Sequence, residues 1–202
     1  MYPHIGFDEM HFIDYFDQTK ILREYITDQE LYDKIIKRYE NRKNNEKLFF
    51  MGITMQNHGG YTETYDNFPE NYYKVGRSYT DANQYLSLVH ESDEAVKNLI
   101  SYFSKVDDPV EIIFFGDHQP SLNSNFYPIL NGKGLTGLTE DELEKLYTVP
   151  FFIWTNYDTP EETVDITSLD YLSTMALERA GIELPASVSY THLRAHETCA
   201  DL

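Results

Sequence analysis

Val110-Glu111-Ile112-Ile113-Phe114-Phe115-Gly116-Asp117-His118-Gln119-Pro120 is the stretch on which the reading of the fold turns. The apolar run reads as a buried strand, and Gly116 lets the backbone bend sharply after it. A strand that ends in an Asp-His pair delivers a carboxylate and an imidazole to the carboxyl edge of a sheet, where open α/β folds bind ligands. Asp117 and His118 are therefore candidate metal ligands. A second apolar run, Leu48 to Met55, leads in the same way into Gln56-Asn57-His58-Gly59-Gly60-Tyr61, so the two loops are expected to share one site.

Outward from these runs, helices and strands alternate. Leu31, Tyr32, Ile35, Ile36 and Tyr39 recur at helical spacing behind Asp28, which reads as an N-cap, with Lys34, Lys37 and Arg38 on the outer side. Residues 56–79 form a long loop holding five tyrosines. A helix is expected from a Thr80 cap to Ser104, with Tyr85, Val89, Val96, Leu99, Ile100 and Phe103 inward. Within it, Ser92-Asp93-Glu94 reads as a solvated face. A short acidic helix capped by Thr139 covers 140–146, a strand covers 149–154, and a last helix runs from about Ser168 to Ala180 before Gly181, a left-handed cap position. Residues 1–20 read as loop with short local structure. The fold class expected is α/β, a mostly parallel sheet with helices on both faces and right-handed crossovers.

The bulk properties exclude several functions. At 202 residues the chain fits one domain able to bury a real core. Acidic residues number 34 against 16 basic, a formal net charge of -18 that repels nucleic-acid phosphates and anionic lipid, so no nucleic-acid partner is expected. An anionic substrate is compatible with that surface if a divalent cation supplies the local positive charge. Cys199 is the only cysteine, which excludes an intrachain disulfide and a cysteine-rich zinc site. No window reaches the roughly 20 apolar residues needed to span a bilayer, and Met1-Tyr2-Pro3-His4 does not open a signal peptide, so the sequence as it stands reads as soluble and without an address. Ser187 to Leu202 lacks a clear period and reads as a non-native or disordered tail, leaving 1–186 as the folded part. His192, His196 and Cys199 in that tail are not expected to form a metal cluster, and His4, Asp8, Glu9 and His11 fit no zinc spacing.

Asp117 and His118 offer a hard oxygen and an imidazole nitrogen, donors that suit manganese, zinc or magnesium better than a soft copper site. The ordered set Met1 to Asp8, Phe49 to Tyr61 with Asn57-His58, Gly116-Asp117-His118, Val149-Pro150-Phe151 and Asp165 to Ser168 resembles lipoteichoic acid synthase-like phosphoglycerol transferases, in the sulfatase-like branch of the alkaline phosphatase superfamily. The resemblance covers about residues 1–186. It implies that a metal-activated threonine attacks phosphatidylglycerol, diacylglycerol leaves, and the glycerophosphate unit passes to a polymer or glycan hydroxyl. It also implies that Asp117 and His118 are metal ligands, and that His58 is a substrate contact or proton donor. Manganese is the metal expected first, with zinc, magnesium or calcium as alternatives. A bound cation would acidify a hydroxyl nucleophile and neutralise charge on phosphoryl oxygens.

The chain departs from that pattern where the family's threonine, its acidic metal ligand and a Trp/Arg-bearing segment would stand, upstream of the stretch that Met1 to Asp8 resembles. The expectation is therefore a carboxyl-terminal part of a sulfatase-like catalytic domain, incomplete on its amino-terminal side and inactive alone. The parent would sit in the cell membrane through amino-terminal helices, with its catalytic domain outside. A sulfatase, phosphodiesterase or phosphoethanolamine transferase on the same fold is the first alternative, and a non-catalytic acidic α/β binding module the second.

Overall fold

The computed structural model describes residues 2–68, 79–184 and 186. The proposed tail at 187–202, with His192, His196 and Cys199, and most of the second half of the tyrosine-rich loop lie outside the described residues. The chain divides into two compact units, Met1–Lys105 with His118–Thr148, and Val106–Asp117 with Val149–Leu202.

The first unit opens with short 3-10 turns at Tyr2–Ile5 and Ile13–Tyr15, then a hairpin of β1 (Ile21–Leu22) and β2 (Tyr25–Ile26). Helix α1 (Asp28–Glu40) follows directly. Its N-cap is Thr27 rather than Asp28: the Thr27 hydroxyl accepts from the Glu30 N–H, and Asp28 is already the first helical residue. The helical stripe is otherwise as the spacing predicts, with Leu31, Tyr32, Ile35, Ile36 and Tyr39 all buried or half-buried. Helix α2 (Thr80–Phe103) packs along it through an edge-on Tyr39–Phe103 contact, with ring centroids 5.2 Å apart. Tyr79, not Thr80, occupies the α2 cap position and offers no side-chain bond there. Tyr61, Phe68 and Leu88 form the buried core beside the hairpin, with Leu22, Tyr65, Tyr85 and Leu122 packed on it.

Two short helices complete this unit: α3 (Tyr127–Asn131) and α4 (Glu140–Lys145). Helix α4 is too short to hold itself, and a full capping box fixes its start: Thr139 accepts from the Glu142 N–H while the Glu142 carboxylate accepts from the Thr139 N–H.

Leu48 to Met55 is the first departure from expectation. The run forms no ladder among the described residues. One side lies on α1, so closely that a Cβ on Gly52 would stand 2.9 Å from a Leu31 methyl. The other side is bare, with Phe49, Met51, Ile53 and Met55 exposed. Composition makes a segment apolar, but a strand also needs a hydrogen-bonded neighbour.

The second unit holds β3 (Glu111–Phe115), β4 (Phe151–Thr155) and α5 (Leu169–Arg179). β3 and β4 pair antiparallel, Ile113 opposite Ile153, with the Phe114 and Phe152 rings stacked at 5.3 Å. The alternation of strands and helices predicts a parallel arrangement, and this pair runs antiparallel instead. The connection, residues 116–150, is long enough to return the chain in either direction, so alternation of apolar runs with helices does not fix the sense of the pairing. Asn156 seals the strand ends, accepting from the Val110 N–H at 2.7 Å and donating to the Asp108 carbonyl at 2.8 Å. Ser168 caps α5, and Gly181 ends it in the left-handed conformation at φ 68°. Among the described residues, no helix is long and apolar enough to cross a membrane.

Candidate functional site

The loop that carries His58 is fixed from three directions. A turn closes it where the His58 N–H donates to the Met55 carbonyl at 3.0 Å, and Gly60, at φ 94°, supplies the left-handed bend that follows. Tyr61 then enters the core and donates its hydroxyl back to the Asn57 carbonyl at 2.7 Å.

From the helix side, Gln56 is 1% exposed and uses both ends of its amide: its oxygen accepts from the Asp28 N–H at 3.1 Å, and its nitrogen donates to Ser92 Oγ at 3.3 Å. Ser92 also accepts from Asn57 Nδ2 at 2.9 Å and donates to Asp28 Oδ2 at 2.5 Å. The loop is thus tied to the first residue of α1 and the middle of α2. Ser92 is buried at the centre of this cluster, so the solvated face expected of Ser92-Asp93-Glu94 does not extend to it. Burial raises the Asp28 carboxyl to about 6, with the bonds from Ser92 and Thr54 opposing the shift.

From the hairpin side comes Arg23, only 5% exposed. Its Nη2 donates to the carbonyls of Gln56 at 3.0 Å and His58 at 2.6 Å, and its Nη1 to Gln84 Oε1 at 3.1 Å and the Gly60 carbonyl at 3.4 Å. The guanidinium lies 5.4–5.9 Å from the ring centroids of Tyr61, Tyr25 and Tyr65. Gln84 passes the support on by donating to the Glu63 carbonyl at 2.8 Å. With its backbone held in this way, the His58 ring stands exposed, its Nδ1 3.1 Å from the Tyr25 hydroxyl.

Asp117 and His118 follow the end of β3 as the sequence predicts, and both are exposed. Gly116 extends the β3–β4 pairing by one bond, its N–H donating to the Pro150 carbonyl at 3.1 Å. A Cβ there would stand 3.1 Å from Val149 Cβ, so a larger residue would crowd the neighbouring strand segment. The sharp bend expected of it is not seen: Gly116 does not adopt a positive φ. His118 Nδ1 lies 2.9 Å from the Gln119 carbonyl, and the Gln119 amide donates to the Thr148 carbonyl. Holding Nδ1 on a backbone oxygen is the common way a ligating histidine is oriented.

Asp117 is the last residue of one segment of the second unit and His118 the first of a segment of the first, which also carries His58. Among the described residues, no group of three or more His, Cys, Asp or Glu side chains is placed to hold a metal ion. The donor types at 117–118 fit a hard divalent cation, but two side chains do not complete a coordination sphere. Near His11, the Glu9 carboxylate lies 3.3 Å from the ring and 3.3 Å from Arg38, so that group forms surface ion pairs. A cavity of about 190 Å³ beside Gln56 has Glu91 and Glu94 in its wall, a charge that repels phosphate. The exposed His58 surface is the better candidate for an anionic ester.

Arg23, Tyr25, Gln56, Gln84 and Ser92 carry no motif that marks them in the sequence. The signals available were faint: a β-branched Ile21 before Arg23, and polar Gln84 and Ser92 at helical spacing from the apolar stripe.

The chain matches the Sulfatase family over residues 1–182 and belongs to it. Its fold is that of the Streptococcus pyogenes phosphoglycerol transferase GacH, solved in complex with sn-glycerol-1-phosphate: TM-score 0.64 at 18% identity, covering 91% of this chain and 46% of that one. Among curated proteins of Rhizobium meliloti (strain 1021), it is 26% identical over 193 residues to the "Putative cyclic beta-1,2-glucan modification protein", covering 92% of this chain and 30% of that protein. It is 33% identical over 124 residues to the capsular polysaccharide biosynthesis protein RkpI, covering 60% of this chain and 21% of that protein. The chain thus spans less than a third of the length of these curated relatives.

Proposed function

We propose that the chain is part of a metal-dependent phosphoglycerol transferase that moves glycerophosphate from phosphatidylglycerol to a polymer or glycan hydroxyl. The observation that carries this reading is the pairing of two features: an Asp117-His118 turn after β3, and an exposed His58 on a loop braced from within the fold. The likeness of the fold to a phosphoglycerol transferase supports it, and so does membership of the Sulfatase family. The names of the curated relatives, both concerned with polysaccharides, favour a glycan as acceptor.

In this mechanism Asp117 and His118 would hold a divalent cation, manganese first, through the carboxylate and the imidazole. Such an ion, when bound, would supply Lewis acidity toward the nucleophilic hydroxyl and positive charge toward the phosphoryl oxygens. The nucleophilic threonine and the remaining ligands are assigned to parts of the parent protein beyond these residues, as is its attachment to the cell membrane with the catalytic domain outside. His58 contacts the glycerophosphate or gives a proton to the departing diacylglycerol oxygen, a role within reach of an imidazole near neutral pH. An overall charge of -18 leaves few positive groups to attract an anionic ester, which is why the cation matters.

The test is to incubate the complete protein with phosphatidylglycerol vesicles and manganese and follow diacylglycerol. Metal-dependent release, with glycerophosphate retained on protein or glycan, is the expected result. Hydrolysis of sulfate esters without diacylglycerol release would move the assignment to a sulfatase.

A further inference from the structure

The geometry points to the β1–β2 hairpin as the device that positions His58: Arg23 sets the backbone of its loop, and Tyr25 sets which ring nitrogen carries the proton. Arg23 and Tyr25 are positioning residues, acting on His58 rather than on substrate. The inference rests on the reading of His58 as the group that meets the phosphate ester.

Arg23 occupies the first turn position of the hairpin at φ 56°, a left-handed conformation that costs free energy in any residue with a Cβ. Glycine would relieve that cost. What arginine adds is a planar fork: its terminal nitrogens reach the carbonyls of Gln56, His58 and Gly60 and the amide oxygen of Gln84. Each of these acceptors is neutral, and Arg23 Nε is buried without a hydrogen-bond partner. A buried cation matched to neutral carbonyls and aromatic faces is a poor way to gain stability. It is an effective way to aim three carbonyls of one loop at one point, which fixes where the His58 Cα stands.

Tyr25 leaves the same turn, its ring 5.5 Å from the Arg23 guanidinium, and meets His58 Nδ1 at 3.1 Å. A phenol donates its proton more readily than it accepts one, because its oxygen lone pairs are delocalised into the ring. With Tyr25 donating, neutral His58 has no proton on Nδ1 and carries it on Nε2. The nitrogen away from Tyr25 is then a hydrogen-bond donor, suited to a phosphoryl or leaving-group oxygen.

The experiment is nitrogen NMR of the histidine rings in the complete protein labelled with ¹⁵N-histidine, comparing wild type with Tyr25→Phe and Arg23→Lys. Wild type is expected to show His58 with Nδ1 bare and Nε2 protonated, and Tyr25→Phe a mixture of both tautomers. Arg23→Lys, which keeps the charge and loses the fork, is expected to speed amide exchange at 58–61 by about tenfold while α5 amides are unaffected. Wild-type His58 protonated on Nδ1, or an unchanged tautomer in Tyr25→Phe, would overturn the role of Tyr25. Unchanged exchange in Arg23→Lys would overturn the brace. If Arg23→Lys does not fold, the Tyr25→Phe spectrum still decides the tautomer. Adding sn-glycerol-1-phosphate separates the two levels: shifted His58 ring signals support its place at the ester. Unshifted signals with the expected tautomers would sink that place and leave the hairpin's action on His58 standing.

Discussion

The His58 loop and the Asp117-His118 turn are built in opposite ways. The first is anchored by a buried network in which Arg23, Gln56, Ser92 and Asp28 connect a hairpin and two helices to a few residues of backbone. The second is an exposed strand end, held by backbone pairing at Gly116 and by the Gln119 amide. This chain thus carries its own scaffold for an exposed histidine, the proposed substrate contact, whereas a metal centre at Asp117 and His118 would depend on further donors. Substitutions in the two regions should accordingly divide between stability and turnover.

The largest effect is expected at the turn. In the complete protein, His118→Ala should reduce metal-dependent turnover by at least about 10²-fold, the scale of losing one group that stabilises developing charge. Its melting temperature should stay near that of wild type, because the side chain is exposed. A large fall in stability with activity per folded molecule retained would reverse the contrast between the regions.

Asp28 tests the braced region through pH. Its folded value of about 6 exceeds the ordinary 3.8, so the folded state holds the proton more tightly than the unfolded one. Its contribution is therefore fully favourable below about 4 and is lost as pH rises through about 6. At about 1.4 kcal/mol per unit, the swing is on the order of 3 kcal/mol. Other carboxyls shift in the opposite direction, among them Glu142, held down to about 2 chiefly by Lys133. The measurement is thus the stability of wild type minus that of Asp28→Asn, followed by denaturant unfolding from pH 3 to 8. A difference that stays flat across that window would mean the cluster around Ser92 does not bury the carboxyl as described.

A smaller effect is expected away from both regions. Thr139→Ala removes the hydroxyl half of the α4 capping box and should cost about 1 kcal/mol without altering turnover. An effect on turnover would extend the functional surface to α4.

Much of the fold was legible because its signals are local. The stripe of α1, the Thr139 cap, Ser168 at the start of α5 and Gly181 at its end depend on spacings within one element, and the structure keeps them. What could not be read depends on partners distant in sequence. The β1 and β2 strands have two residues each, too few to show alternation, and the turn Arg23-Glu24 contains none of the residues that mark hairpins. Ser92 reads as surface by type, and its burial follows from Asp28 and Asn57 lying opposite. Direction in the β3–β4 pair is a property of the ladder itself, which two apolar runs far apart in sequence do not encode.

Leu48 to Met55 is the instructive intermediate case. Its composition is that of a central strand, and it touches α1 at Gly52, but no described neighbour pairs with it. The solved GacH chain is more than twice the length that this chain matches. In the complete protein the amides of 48–55 should exchange slowly, as ladder members, and in the 202-residue chain rapidly. Rapid exchange in both would make the run a surface segment.

The central claim is that Asp117 and His118 are ligands of a divalent cation. Manganese titration of the complete protein, read by electron paramagnetic resonance, tests it directly against Asp117→Asn and His118→Ala. Saturable binding is expected in wild type, weakened by at least about tenfold in each variant, the scale for disturbing a metal's ligand shell. Equal manganese affinity in all three proteins would contradict it and leave the turn after β3 without a metal role.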